Sequence, residues 1–159
     1  MIDPMDYYQN HGPLSNLTAD DLEEIFGKSD FYTYEIDFAA LLHGGNTPQT
    51  NSFTIQTDAN FLWQEASYFA DIGGAAFTVN SQPVPNIEIL ITDTGAGRQL
   101  MNGPVPMTNI FGFGREKSVL RNPRWFAKMA SVQVQVNNID AAVDYNLKLS
   151  FIGTKFFGV

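Results

Sequence analysis

The sequence contains no cysteine, which removes disulfides, thiolate metal sites and cysteine nucleophiles from consideration. Histidine is almost as scarce: only His11 and His43 occur, each beside a glycine, with no acids at metal-ligand spacing around them. Neither a metal nor any other cofactor is therefore expected. Charged residues make up 16% of the chain, against roughly 25% in ordinary soluble domains, and a surface so thinly charged suits a protein largely covered by partners. No apolar run approaches the roughly 18 residues that span a bilayer. The opening segment Met1-Ile2-Asp3-Pro4-Met5-Asp6 has neither the basic nor the apolar region of a signal peptide. A soluble protein made in a cytoplasm, with no membrane association, is expected.

Charge of one sign is missing over long stretches. Residues 1–30 carry seven acids and only Lys28, and residues 31–92 carry six acids and no Lys or Arg. Residues 93–159 carry eight bases and four acids, so a net charge of −8 conceals an acidic front and a basic rear. Such asymmetry either sets docking register between molecules or is neutralised within the fold when the halves interleave.

What is present is apolar alternation. Tyr32, Tyr34, Ile36 and Phe38 alternate with Thr33, Glu35 and Asp37, the period-two pattern of a half-buried strand. Phe53 and Ile55 begin another, and Phe61 and Trp63 a third, with Asp58-Ala59-Asn60 as the turn between. Phe77 and Val79 follow Gly73-Gly74, and Ile87, Ile89 and Ile91 form a further strand after Pro83 and Pro85. Residues 93–128 read as loop, with a short strand within Met107–Phe113. Val132, Val134 and Val136, then Tyr145, Leu147, Leu149 and Phe151, close the chain as two strands, and the turn-like Asn138–Asp144 between them predicts a hairpin.

Ahead of the strands, residues 1–17 show no periodicity. Thr18 then opens a short helix over about residues 18–26, with Asp21 as capping-box partner and Leu17 and Leu22 as a hydrophobic staple. Leu22, Ile25 and Phe26 make one apolar stripe, and Gly27 ends the helix. Two turns are not stable alone in water, so this helix has to dock on something. The expected organisation is an arm with a helix at 1–30 and a β-sandwich domain at 31–159. The fold class is all-β: an antiparallel, jelly-roll-like sandwich of about seven or eight strands with one short N-terminal helix.

Ile91-Thr92-Asp93-Thr94-Gly95-Ala96 resembles the Asp-Thr-Gly signature of retroviral-type aspartic proteases, in which two such aspartates share a proton and activate water. Phe151-Ile152-Gly153 stands where that family keeps an apolar pair and a glycine. The pattern departs in three ways. Only Thr154–Val159 remain for the family's closing helix and strand, the aspartate comes after ninety-two residues, and Arg98 stands where an acidic or small polar residue is usual. The alternative is that Asp93-Thr94-Gly95 simply caps a strand, which leaves Asp93 as the one catalytic candidate in a chain not expected to be an enzyme.

Arg115, Lys117, Arg121, Arg124 and Lys128 place five cations in fourteen residues beside Trp125 and Phe126. Single-stranded nucleic acid is one partner for such a segment, but a net charge of −8 opposes a polyanion, and an acidic protein surface fits better. Leu17, Leu22, Ile25 and Phe26 are the apolar counterpart in the arm. Trp63 reads as a core residue, with a sugar platform as the alternative.

The order of the segments Phe53–Trp63, Ile87–Gly112, Asn122–Asn138 and Tyr145–Phe157 resembles small virion structural proteins of tailed bacteriophages, of the capsid decoration or cement type. The resemblance implies a jelly-roll-like domain present in many copies on the virion and bridging neighbouring capsid subunits. Its partners would be the major capsid protein, copies of itself, or both. Another phage head or tail component, a carbohydrate-binding sandwich and the aspartic protease are the competing expectations.

Overall fold

The computed structural model describes residues 28–73, 83–114 and 116–157. The expected helix over 18–26, the strand around Phe77 and Val79, and Arg115 fall outside the described residues.

Among the described residues there are nine strands and one short helix. In chain order they are β1 (Ser29–Leu41), β2 (Gln49–Thr54), β3 (Ala59–Ile72), β4 (Ile87–Asp93), β5 (Arg98–Gln99), β6 (Val105–Pro106), α1 (Thr108–Phe111), β7 (Ser118–Phe126), β8 (Ser131–Asn138) and β9 (Tyr145–Phe157). They form two sheets, ordered β1-β9-β3-β7 and β2-β8-β4-β5, with β6 also on β4. All pairings are antiparallel.

The pairings have a simple logic. If the chain is laid out as one long hairpin folded between β4 and β5, then β3 faces β7, β2 faces β8 and β1 faces β9, and all these pairs are present. Rolling that hairpin up brings β9 against β3 and β8 against β4, which are the two remaining major pairings. The architecture is a jelly roll, an antiparallel β-sandwich as the alternation of apolar residues predicts. The strand count rises to nine because β5 and β6 are two-residue pieces.

Period-two spacing builds the core from both sheets. Ile87, Ile89, Ile91, Val132, Val134 and Val136 come from one side. Tyr34, Ile36, Phe38, Phe61, Trp63, Leu147, Leu149 and Phe151 come from the other. Trp63 is an inward-facing core residue, its ring 4.7 Å from that of Phe151, and its Nε1 donates to the Glu65 carbonyl at 2.7 Å.

Three expectations are corrected. β8 and β9 are not a hairpin: they lie in opposite sheets, and residues 139–144 cross between layers. Asn138 fixes that crossing, its Nδ2 donating to the carbonyls of Leu41 at 2.9 Å and Val143 at 2.8 Å, so turn composition here marks a corner and not a reversal. Met107–Phe113 holds the helical turn α1 in place of a strand, with Met107 and Phe111 wholly buried. Third, part of the loop-rich 93–128 is the nine-residue strand β7, whose charged residues and Pro123 mask its alternation.

β3 carries a bulge at Gln64, where the register against both neighbours shifts between Trp63 and Glu65. The extra residue lets Trp63 and Ala66 both face inward. Opposite it stands Gly153 of β9, where a Cβ would overlap the Leu62 carbonyl oxygen. Only glycine fits so close an approach of two central strands.

Candidate interaction surface

The two edges of the sandwich differ. At one, β1 and β2 are joined by side chains: Gln49 Nε2 donates to the carbonyls of Ala39 at 3.1 Å and Ala40 at 3.2 Å, and Asn51 Nδ2 to that of Asp37 at 3.1 Å. This closed edge is acidic, with Asp30, Glu35 and Asp37 exposed on β1. Lys148 reaches across from β9 to Glu35 at 3.5 Å and Asp37 at 3.7 Å.

The opposite edge, between β7 and β5, is open and cationic. β7 is anchored to β3 at both ends, through Ser118 and Val119 and through Arg124, Trp125 and Phe126. Between the anchors β3 supplies only Gln64 while β7 supplies Leu120 to Pro123, so the edge strand bows away from its sheet. A bulge, a proline and cations on one edge strand are the usual means of preventing strand addition, and they also shape the surface. One cleft of about 210 Å³ lies under the bow, lined by Leu100, Met101, Ile110 and Leu120 with Arg121 and Arg124 at its rim. A second, of about 280 Å³, is lined by Asp93, Arg98, Leu100, Arg124 and Trp125. Both are smaller than the roughly 300–1,000 Å³ of drug-sized ligand sites.

Of the cations singled out in the sequence, Lys117, Arg121, Arg124 and Lys128 are brought together along this edge and its flanking turn, all exposed. Arg98 of β5 joins them, a contribution that the linear cluster does not reveal. Lys117 pairs with Glu65 at 3.2 Å and lies over the Phe31 ring at 5.6 Å. Among the described residues, no carboxylate forms an ion pair with Arg98, Arg121 or Arg124. The front and rear of the sequence thus interleave only in part. Exposed Phe113, Val119 and Met129 occur in the same region of the chain, and apolar and aromatic anchors beside arginines are the composition of protein interfaces. Nothing in the sequence distinguishes these three from core residues. Leu17, Leu22, Ile25, Phe26 and Arg115 lie outside the described residues.

Asp93 has a structural role that the sequence left open. It ends β4, and its Oδ1 accepts from the Ala96 N–H at 3.1 Å, capping the turn that leads into β5. Thr94 fastens that turn to β8, its N–H and Oγ1 both donating to the Ser131 carbonyl at 2.9 and 2.8 Å. Gly95 packs against Ala130. Among the described residues lining the second cleft, and the hollow on the other side of Asp93 formed with Gly95, Ala96, Lys128 and Met129, there is no second carboxylate. Gly153, the other half of the protease-like pattern, lies in the other sheet and is accounted for by the bulge at Gln64.

Among the described residues no three His, Asp or Glu side chains converge on a metal position, and no helix is long and apolar enough to cross a membrane. Comparison of the chain with protein-family models, with curated proteins and with solved structures gives no match in any of the three.

Proposed function

We propose that this protein is a non-catalytic structural component of a bacteriophage virion, decorating and cementing the capsid by bridging neighbouring capsid subunits. The observation that carries this reading is the open, cationic β7–β5 edge, with Arg98, Arg121 and Arg124 free of described ion-pair partners. Such an edge fits an acidic protein surface, either on the major capsid protein or on the β1 side of another copy, where Asp30, Glu35 and Asp37 lie. The jelly-roll topology supports it, since this architecture recurs in viral capsid domains, although fold alone does not decide function. Low charge density points the same way, as does the order of segments, which resembles that of decoration proteins. Many weak contacts per particle then act together, because each engaged site raises the effective concentration of the next.

The test is add-back. Capsids stripped of the protein should regain it from solution and with it their resistance to heat or osmotic shock. The Arg121→Glu/Arg124→Glu variant should bind at least tenfold more weakly while unfolding at the wild-type temperature. Wild-type protein that ignores capsids ends the proposal.

A further inference from the structure

A second apolar cluster sits on the wrong side of the β1-β9-β3-β7 sheet. Leu62 lies between inward-facing Phe61 and Trp63, and Ile152 between inward-facing Phe151 and Gly153, so strand alternation turns both to the outer face. Phe156 shares that face, and Trp125 of β7, cross-strand from Leu62, stacks on it with centroids 5.5 Å apart. None of Leu62, Ile152 and Phe156 belongs to the sandwich core, yet they are only 3%, 6% and 0% exposed.

Ser29 and Asn60 flank Phe156 within the sheet and Trp125 stacks on its ring from one side, which leaves the rest of its outer surface uncovered by the sheet itself. An outward phenylalanine with no exposed surface therefore has a further layer above it. The second sheet and α1, through Phe111 against Phe151, pack on the inner side. Lys117 crosses this face beside Ile152, reaching from Glu65 on β3 to the Phe31 ring on β1; the layer over Leu62 and Phe156 has to come from elsewhere in the chain, and reach decides where. Residues 74–82 leave β3 beyond Ile72, twelve residues and roughly 40 Å along the strand from Asn60, which pairs with Phe156. They must also return to Pro83, whose carbonyl accepts from the Tyr68 hydroxyl at 3.2 Å. Nine residues span at most about 30 Å and cannot make that journey. Residues 158–159 add one side chain beyond glycine.

Residues 1–27 enter at the right place. Lys28 is hydrogen-bonded to β9, its carbonyl accepting from Phe157 N–H at 2.9 Å, and Ser29 pairs with Phe156. The segment that precedes them contains the stripe Leu22, Ile25 and Phe26 with Leu17 as staple. Nine helical residues, 18–26, measure about 13 Å, and the four β-residue steps from Ile152 to Phe156 also measure about 13 Å.

We propose that the outer face formed by Leu62, Ile152 and Phe156 is the docking surface for residues 17–26 of the same chain, seated through Leu22, Ile25 and Phe26. The tether at Lys28 holds the segment at millimolar effective concentration over its own sheet, which favours its own chain over a second copy. Docking turns Asp20, Asp21, Glu23 and Glu24 toward the surroundings, converting an apolar sheet face into an acidic one. This inference stands whether or not the protein decorates capsids.

The absence of native cysteine makes the test clean. Leu62→Cys is combined in turn with Leu22→Cys, Ile25→Cys and Phe26→Cys in the full chain, and with Glu24→Cys as control. Mild oxidation should link at least one of the three apolar pairs within a chain, running as monomer on a non-reducing denaturing gel, and leave the control unlinked. In parallel, Phe26→Asp leaves the sheet untouched and should raise acrylamide quenching of Trp125 at least twofold, Trp63 being sealed in the core. Failure of all three pairs, links found only between chains, or quenching unchanged in Phe26→Asp overturns the proposal.

Discussion

Gly153→Ala isolates the contact on which the central strand pair depends. A methyl there would overlap the Leu62 carbonyl oxygen, while lying 2.9 Å from the Leu62 carbonyl carbon and 3.1 Å from Cζ of Phe61. The first two obstacles are backbone and have no rotamer to escape into. Ordinary contact requires about 3.4 Å or more, so β3 and β9 have to separate by more than an ångström at mid-length. Two or three ladder hydrogen bonds are then lost, at about 1 kcal/mol each. Forced repacking of Phe61 and Trp63 adds about 1–3 kcal/mol.

The sum is about 3–6 kcal/mol, a large part of the roughly 5–15 kcal/mol that stabilises a typical domain. With a urea dependence of roughly 2 kcal/mol per molar for a chain of this size, the unfolding midpoint should fall by about 1.5–3 M, followed by tryptophan emission. Gly103→Ala is the control: nothing lies within 4 Å of its Cβ position, and its midpoint should shift by less than about 0.3 M, the size of an ordinary surface substitution. A Gly153→Ala midpoint within about 0.5 M of wild type, on the same scale, would refute the account of the bulge.

Other perturbations have defined outcomes. Lys155 is 2% exposed, with Nζ 3.5 Å from the centre of the Tyr32 ring, 5.5 Å from that of Tyr34 and bonded to Gln56 Oε1; a Lys155→Met/Tyr32→Leu double-mutant cycle should give a coupling of about 1–2 kcal/mol, and a value near zero would remove the cation–π contact. Asn138→Asp should destabilise more than Asn138→Ala in urea unfolding, because it sets a carboxylate against the Leu41 and Val143 carbonyls that Asn138 now donates to; the reverse order would exclude this role. The His43 backbone N–H and then its ring hold the Asp144 carboxyl below the ordinary range, and the Ala142 N–H chief among its donors does the same for Asp140. A lowered carboxylate stabilises the fold above its unfolded pKa and loses that contribution as pH falls through the folded value, so stability should drop below about pH 4 and Asp140→Asn/Asp144→Asn should flatten that acid limb. An unchanged acid limb would place the sensitivity elsewhere.

How much of this was legible in the sequence follows from what period-two alternation encodes. It reports which face of a strand is buried, and so gave the sandwich, β1, β4, β8 and β9, and Trp63 as core. It carries no information on which strand is the neighbour. Asn138–Asp144 has the composition of a hairpin turn, but the decision to cross sheets is made by Asn138 bonding to Leu41, ninety-seven positions away. β7 is not legible in the sequence because an edge strand that bows outward has no consistent buried face. Arg121, Asn122 and Arg124 are exposed on it together, and Pro123 interrupts it.

The charge asymmetry was visible as numbers along the chain, yet its meaning depended on topology. In a jelly roll the early strands β1 and β2 form one edge, and the middle of the chain, β5 and β7, forms the other. An acidic front and a basic rear therefore become two opposite edges instead of cancelling across a shared face, with Lys148 as the exception because β9 returns beside β1. The rolled-hairpin path that makes the core also fixes where the charges emerge. Edge-to-edge polarity of this kind favours head-to-tail contacts over isologous ones, since a cationic edge repels its own image. If the β7–β5 edge engages another copy, rings or lattices are thus the expected products in place of closed two-fold dimers.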